Sequence, residues 1–164
     1  LLMDDLNELA QRLAAVLAGN GRILAVAESC TGGWVAKTLT DLAGSSNWFD
    51  RGFVTYSNGS KPDMLGVSAG TLSQHGAVSE AVVREMAQGV LARSQADIAV
   101  AISGIAGPGG GLPDKPVGTV CFAWAMRDGF DETMTCRFDG DRDAVRRQSV
   151  QQALEHLLDL LEDG

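Results

Sequence analysis

Cysteine and histidine are too scarce in this 164-residue chain to suggest a metal centre. Its three cysteines and two histidines form neither a Cys-x-x-Cys pair nor a Cys/His set at ligand spacing. An odd cysteine number gives no disulfide framework, so Cys30, Cys121 and Cys136 are read as reduced thiols. Basic residues are also few. Thirteen Lys and Arg against 21 Asp and Glu leave a formal charge of −8, the wrong sign for a chain that neutralises the phosphates of a nucleic acid. No apolar run approaches the roughly 20 residues that cross a bilayer. The first residues show no basic segment leading into an apolar stretch and a small-residue cleavage site. The expectation is a cytoplasmic chain with no membrane or nucleic-acid partner and a small molecule as its ligand. Gly-x-Ser-x-Gly, the phosphate loop ending in Gly-Lys-Ser/Thr and a Ser-x-x-Lys beginning at Ser29 are all missing. So are repeats, heptads and low-complexity stretches.

What is present is a 45% hydrophobic chain of a length that fits one globular domain with a real core. Leu6, Leu9, Leu13, Val16 and Leu17 recur at helical spacing until Gly19-Asn20-Gly21 stops them. Residues 23–27 form a short apolar run typical of a covered strand, and glycines then turn the chain into a helix from Trp34. A second strand is expected over 52–56, ending at Ser57-Asn58-Gly59. Because Pro62 follows it, Lys61 is expected to be extended, with a short helix from Pro62 through Leu65. Ser79 and Glu80 open a longer helix with Val82, Val83, Met86 and Val90 on one face. Strands follow at 97–102 and 118–126, the latter nearly all apolar and so buried. Over 133–138, Met134, Cys136 and Phe138 alternate as in an edge strand, and a helix from about 143 to 161 closes the chain. This alternation predicts an α/β fold: a single three-layer α/β/α domain over 1–164, with a mixed sheet of about four to six strands and helices on both faces. The apolar helix faces are compatible with a homo-oligomer.

Three polar or glycine-rich segments each follow an expected strand: 28–33, 56–61 and 103–111. In α/β sheets ligands bind beyond the carboxyl ends of strands, so the three are expected to share one rim. Ser29 sits where a strand turns into a helix, and Lys61 follows about thirty residues later; the pairing points to hydrolysis. The N–H groups at the start of the following helix are expected to be free donors for a phosphate, a carboxylate or an oxyanion. Taken on residue type alone, the serine is a helix cap and the lysine a solvated charge. The glycines and Pro108 of the third segment suit close approach to a ligand or movement as a lid.

Residues 21–140 resemble the C-terminal domain of the competence/damage-inducible protein CinA, the family that includes stand-alone nicotinamide mononucleotide deamidases. The resemblance rests on Glu28-Ser29-Cys30-Thr31-Gly32-Gly33, on Thr55-Tyr56-Ser57-Asn58 with Lys61 and Leu65-Gly66-Val67, and on Gly76-Ala77-Val78-Ser79. It rests equally on Gly104-Ile105-Ala106-Gly107-Pro108 with Lys115-Pro116-Val117-Gly118-Thr119. It implies hydrolysis of the nucleotide carboxamide to the acid and ammonia, without metal or cofactor, with Ser29 as nucleophile and Lys61 as its base. Such a lysine must be neutral when it acts, so burial is expected to lower its pKa. Tyr56 and Asn58 are the expected orienting groups, Tyr56 within the catalytic set. Substrate contacts are expected from Glu28, Cys30, Thr31, Gly32 and Gly33, from Asn58, and from Ser103, Gly104, Ala106 and Gly107. Backbone amides from Cys30 to Gly33 are the expected oxyanion donors, and the phosphate is assigned to glycine-loop amides or Thr31, with Arg142, Arg146 or Arg147 as cations. Several alternatives stand beside this reading. Glu28 is either a buried acid or a stabiliser of the helix start; Cys30 is a reactive thiol or a small buried residue. His75 is a base or a turn residue, His156 is exposed or packed, and the arginines are ligands or a solvated face. The rival reading for the whole chain is a nucleotide-binding or interaction module without chemistry.

Overall fold

A computed structural model describes residues 5–163; the expected span 1–164 includes residues 1–4 and 164, which lie outside the described residues. The chain opens with helix α1 (Asp5–Asn20) and strand β1 (Leu24–Glu28), then α2 (Trp34–Thr40) and β2 (Phe49–Val54). Three helices follow, α3 (Ser60–Leu65), α4 (Ala69–His75) and α5 (Glu80–Ala92). Strands β3 (Ile98–Gly104), β4 (Thr119–Met126) and β5 (Asp131–Arg137) and the long helix α6 (Arg142–Asp163) complete it. The five strands form one mixed sheet in the order β2-β1-β3-β4-β5. β2, β1 and β3 run parallel, whereas β4 and β5 are antiparallel additions.

The two faces of the sheet are chemically unequal, which sets the depth of each layer. Leu24 and Val26 of β1 and Ile98, Val100 and Ile102 of β3 pack against α1, α2 and α6. The opposite face is built from Ala25, Ala27, Ala99, Ala101, Ala123 and Ala125, so α5 comes close with Val82, Val83, Met86 and Val90. Small sheet residues let that helix approach, and the approach carries α3 with it: a Cβ on Gly89 of α5 would run into the Leu65 carbonyl of α3. The helix that bears Lys61 is thereby clamped against the carboxyl end of the parallel strands. No helix among the described residues is long and apolar enough to cross a membrane.

Several expected boundaries move. β2 covers 49–54 rather than 52–56, because its pairing with β1 begins at Phe49 opposite Leu24. Helix α4 was not foreseen; Ser68 caps it by accepting from the Gly70 and Thr71 amides, on a segment with no apolar stripe to announce it. Lys61 is helical rather than extended. Ser60 donates to the Ser57 carbonyl at 2.7 Å and its amide to the Ser57 hydroxyl at 3.2 Å, starting α3 one residue before the lysine. Pro62 then falls in the first turn, where a missing N–H costs no intrahelical bond.

Candidate active site

The turn carrying Ser29 is locked from within. Glu28, the last residue of β1, is 1% exposed. Its carboxylate accepts from the Thr31 hydroxyl (2.7 Å) and from the amides of Gly33 (3.2 Å), Val35 (2.9 Å) and Ala36 (2.9 Å). Buried acid and stabiliser of the helix start are thus one role. Gly32 and Gly33 have φ of 58° and 104°, values that fold the strand end back into α2 without the strain of a Cβ. From α6, Arg146 donates to the carbonyls of Cys30 (3.0 Å) and Thr31 (3.2 Å) and lies over the Trp34 ring at 5.6 Å. Glu28→Gln keeps one acceptor oxygen but turns its amide NH2 towards a donor that has lost its acceptor. It is expected to cost roughly 2 kcal/mol, about 4–8 °C in Tm by calorimetry, and to lower kcat through loosening of the Ser29 turn.

Lys61 reaches the same point from α3. It is 1% exposed, and its Nζ lies 3.1 Å from Ser29 Oγ, 2.9 Å from the Thr55 carbonyl and 3.4 Å from the Ser57 carbonyl. Desolvation by burial lowers its pKa, and the charge of a Cys30 thiolate would raise it. Carbonyls can only accept, so a neutral amine places its two N–H on Thr55 and Ser57 and keeps its lone pair for the Ser29 hydroxyl. When the lysine is protonated the third N–H donates to Ser29, whose own hydroxyl reaches the Tyr56 carbonyl at 3.4 Å. The Thr55 hydroxyl, in contrast, is buried with no partner among the described residues. Thr55→Val keeps the carbonyl that holds Lys61 and removes a wasted polar group. It is expected to stabilise the fold by about 1 kcal/mol, read as a Tm rise of roughly 2–4 °C.

Ser29 and Lys61 both line a cleft of about 270 Å³. It gathers most of the expected residues: Cys30, Tyr56, Asn58, Ser103, Gly104, Ala106, Gly107 and Arg142 all line it. The three parallel strands explain the gathering, since their carboxyl ends point the same way. Glu28, Thr31, Gly32 and Gly33 do not line it. Glu28 and the Thr31 hydroxyl spend their hydrogen bonds on each other and on α2, and the glycines face the other side of the turn with Trp34 and Lys37. The α2 amides expected to be free are therefore occupied. Gly32 N donates to the Ser29 carbonyl and Gly33 N to Glu28, leaving the Cys30 and Thr31 amides as the donors of this turn with no acceptor among the described residues.

The expectation for Tyr56 changes, and the two readings of Cys30 narrow to the small buried residue. The Tyr56 phenol does not approach Lys61; it sits at the rim and accepts from Arg142 at 2.9 Å, while the other Arg142 nitrogen donates to the Gly107 carbonyl at 2.8 Å. What orients the lysine is main chain, from Thr55 and Ser57. The Cys30 thiol, 5% exposed, has its pKa pushed up to about 12, chiefly by burial, which excludes a thiolate near neutral pH. His75 ends α4 and contributes its carbonyl to Lys115 at 2.6 Å; His156 packs on Trp124 with ring centres 4.3 Å apart. Ala77 and Val78, between α4 and α5, also line the cleft and were missed as site residues. An apolar pair between a helix-ending glycine and a capping serine was their signal.

The CinA C-terminal domain family matches residues 6–161. The chain is 58% identical over 153 residues to a protein of Escherichia coli K12 named nicotinamide-nucleotide amidohydrolase PncC, covering 93% of each. It is 52% identical over 160 residues to a putative competence-damage inducible protein of Symbiobacterium thermophilum, of which it covers 37%. Among solved structures, the competence/damage inducible protein CihA of Agrobacterium tumefaciens superposes with a TM-score of 0.94 at 48% identity, covering 98% of both chains.

Proposed function

The chain belongs to the CinA C-terminal domain family, and from that premise we propose that it hydrolyses the carboxamide of nicotinamide mononucleotide, giving nicotinic acid mononucleotide and ammonia. Two observations support the reading: the name borne by relatives at 58% identity, and above all the 3.1 Å approach of a buried lysine amine to the Ser29 hydroxyl at the cleft wall. A hydroxyl becomes a useful nucleophile when a base stands ready for its proton, and a desolvated lysine is such a base.

In the proposed sequence, neutral Lys61 takes the proton from Ser29 as Oγ forms a bond to the amide carbon, and the carbonyl oxygen becomes an oxyanion. The Cys30 amide, on the residue next to the nucleophile, is one donor to it. As the C–N bond breaks, the Lys61 ammonium returns its proton to the nitrogen, and ammonia leaves. Water then adds to the acyl ester, giving its proton to Lys61; the acid departs, and Ser29 recovers its hydrogen. Arg142, bridged to Gly107 and Tyr56 across the mouth of the cleft, is positioned to meet the substrate phosphate together with loop amides of Ala106 and Gly107. The test is direct: purified protein is given the nucleotide, and ammonia and acid are measured. Equimolar release is expected; nucleotide binding with no ammonia supports the non-catalytic binding module instead.

A further inference from the structure

An oxyanion is usually held by at least two donors, and the consumption of the α2 amides by Glu28 leaves the nucleophile turn poorly supplied. The Gly32 and Gly33 amides are engaged, and Thr31 does not line the cleft, so the turn contributes the Cys30 amide. The strand register shows where another donor lies.

Glu28 pairs with Val54 of β2 on one side and with Ile102 of β3 on the other. Ser29 N donates to the Ile102 carbonyl at 3.0 Å and Thr55 N to the Glu28 carbonyl at 2.8 Å, so both ladders continue one residue further. Thr55, Ser29 and Ser103 therefore form a row of three hydroxyl residues across neighbouring strands. Alternation sets their direction. Ala25 and Ala27, like Ala99 and Ala101, face α5, whereas Val26, Cys30, Val100 and Ile102 face the other layer. Ser29 and Ser103 have the parity of the alanines and share one face, on strands about 4.8 Å apart.

The two flanks of Ser29 differ in what they can do. On the β2 side the Thr55 hydroxyl is sealed, and the Thr55 carbonyl anchors Lys61. On the β3 side Ser103 is 1% exposed yet lines the cleft, and its hydroxyl has no hydrogen-bond partner among the described residues. Lys61 has to reach the departing nitrogen, which places that nitrogen on the β2 flank. The carbonyl oxygen is then turned towards β3.

We propose that Ser103 is a catalytic residue whose hydroxyl donates to the oxyanion formed on the scissile carboxamide, completing a site that the Cys30 amide begins. This assignment rests on the hydrolase reading. It explains why a serine, rather than another alanine, continues the small-residue face of β3 at the level of Ser29. It also separates the duties of the two flanks: proton transfer on the β2 side, charge stabilisation on the β3 side.

The test is Ser103→Ala, a loss of one oxygen atom on a buried strand. Expected is a fall in kcat of roughly 10²–10³-fold with KM within about threefold, because the interaction strengthens only as the charge develops. The aldehyde analogue of the substrate, which adds Ser29 and carries the same oxyanion, is expected to bind the variant more weakly by a similar factor. Affinity for the acid product should stay within about threefold. A kcat within about threefold of the parent, or equal losses for aldehyde and product, overturns the inference while leaving the hydrolase reading intact. A parent protein that releases no ammonia overturns both.

Discussion

Lys61→Met is expected to lower kcat by roughly 10³-fold or more while leaving the protein folded and KM within a few-fold. Methionine fills the channel that the lysine stem occupies between α3 and the sheet, so packing is largely kept; what disappears is the proton acceptor 3.1 Å from Ser29. The pH profile should identify the loss. In the parent, activity is expected to rise with pH as Lys61 loses its proton, and burial lowers that ionisation from the ordinary lysine value of about 10.4. The variant should lack the rise. Stability carries the same signature. Between the lowered folded pKa and the ordinary value, the unfolded chain holds the lysine proton more tightly than the folded one, so the parent becomes more stable as pH increases through that window. Lys61→Met removes this contribution, and denaturant midpoints should shift in the parent's favour with rising pH. A large rise in KM at unchanged kcat would instead make Lys61 a substrate anchor.

Ser29→Ala is expected to reduce ammonia release by at least about 10⁴-fold and to leave nucleotide affinity within a few-fold, measured by titration of the folded variant. The neighbouring thiol is not placed to replace the hydroxyl. Cys30 is next in sequence, yet β-alternation turns it to the opposite face, and its thiol is raised to about 12. It also packs tightly enough that a Cβ on Gly104 would lie 3.1 Å from its sulfur. The Glu28 and Arg146 contacts to the turn do not involve the Ser29 side chain, so the variant should keep the parent's melting temperature within about a degree or two. Retention of most activity in Ser29→Ala, with loss in Cys30→Ala, would move the nucleophile by one residue.

The parts legible in the sequence were those fixed by local periodicity and by the strand-end rule. Apolar runs at 23–27 and 97–102 mark central strands because both faces of a parallel strand are covered, and the polar segments after them had to meet once β1, β2 and β3 proved parallel neighbours. That is why Ser29, Lys61 and Ser103 line one cleft, joined by Arg142 from the start of α6. What escaped depends on contacts between distant segments. Whether Glu28 faces the substrate or its own helix is decided by the turn at Gly32 and Gly33, and a carboxylate that folds inward takes the amides a ligand would have used. The helical state of Lys61 follows from a side-chain turn at Ser57 that outweighs the bias of a following proline. Arg146, read as a ligand or a solvated cation, is committed to the carbonyls of Cys30 and Thr31 in the turn that carries Ser29.

The central claim is that Ser29 becomes acylated while Lys61 handles its proton, and a mass measurement tests it most directly. The protein is mixed with nicotinamide mononucleotide, quenched in acid within milliseconds and digested, and the peptide carrying Ser29 is weighed. The account predicts an added nicotinic acid mononucleotide acyl group on Ser29 that appears with the first equivalent of ammonia and is absent from Ser29→Ala. Full ammonia release by Ser29→Ala, or an adduct carried by another side chain, would contradict it.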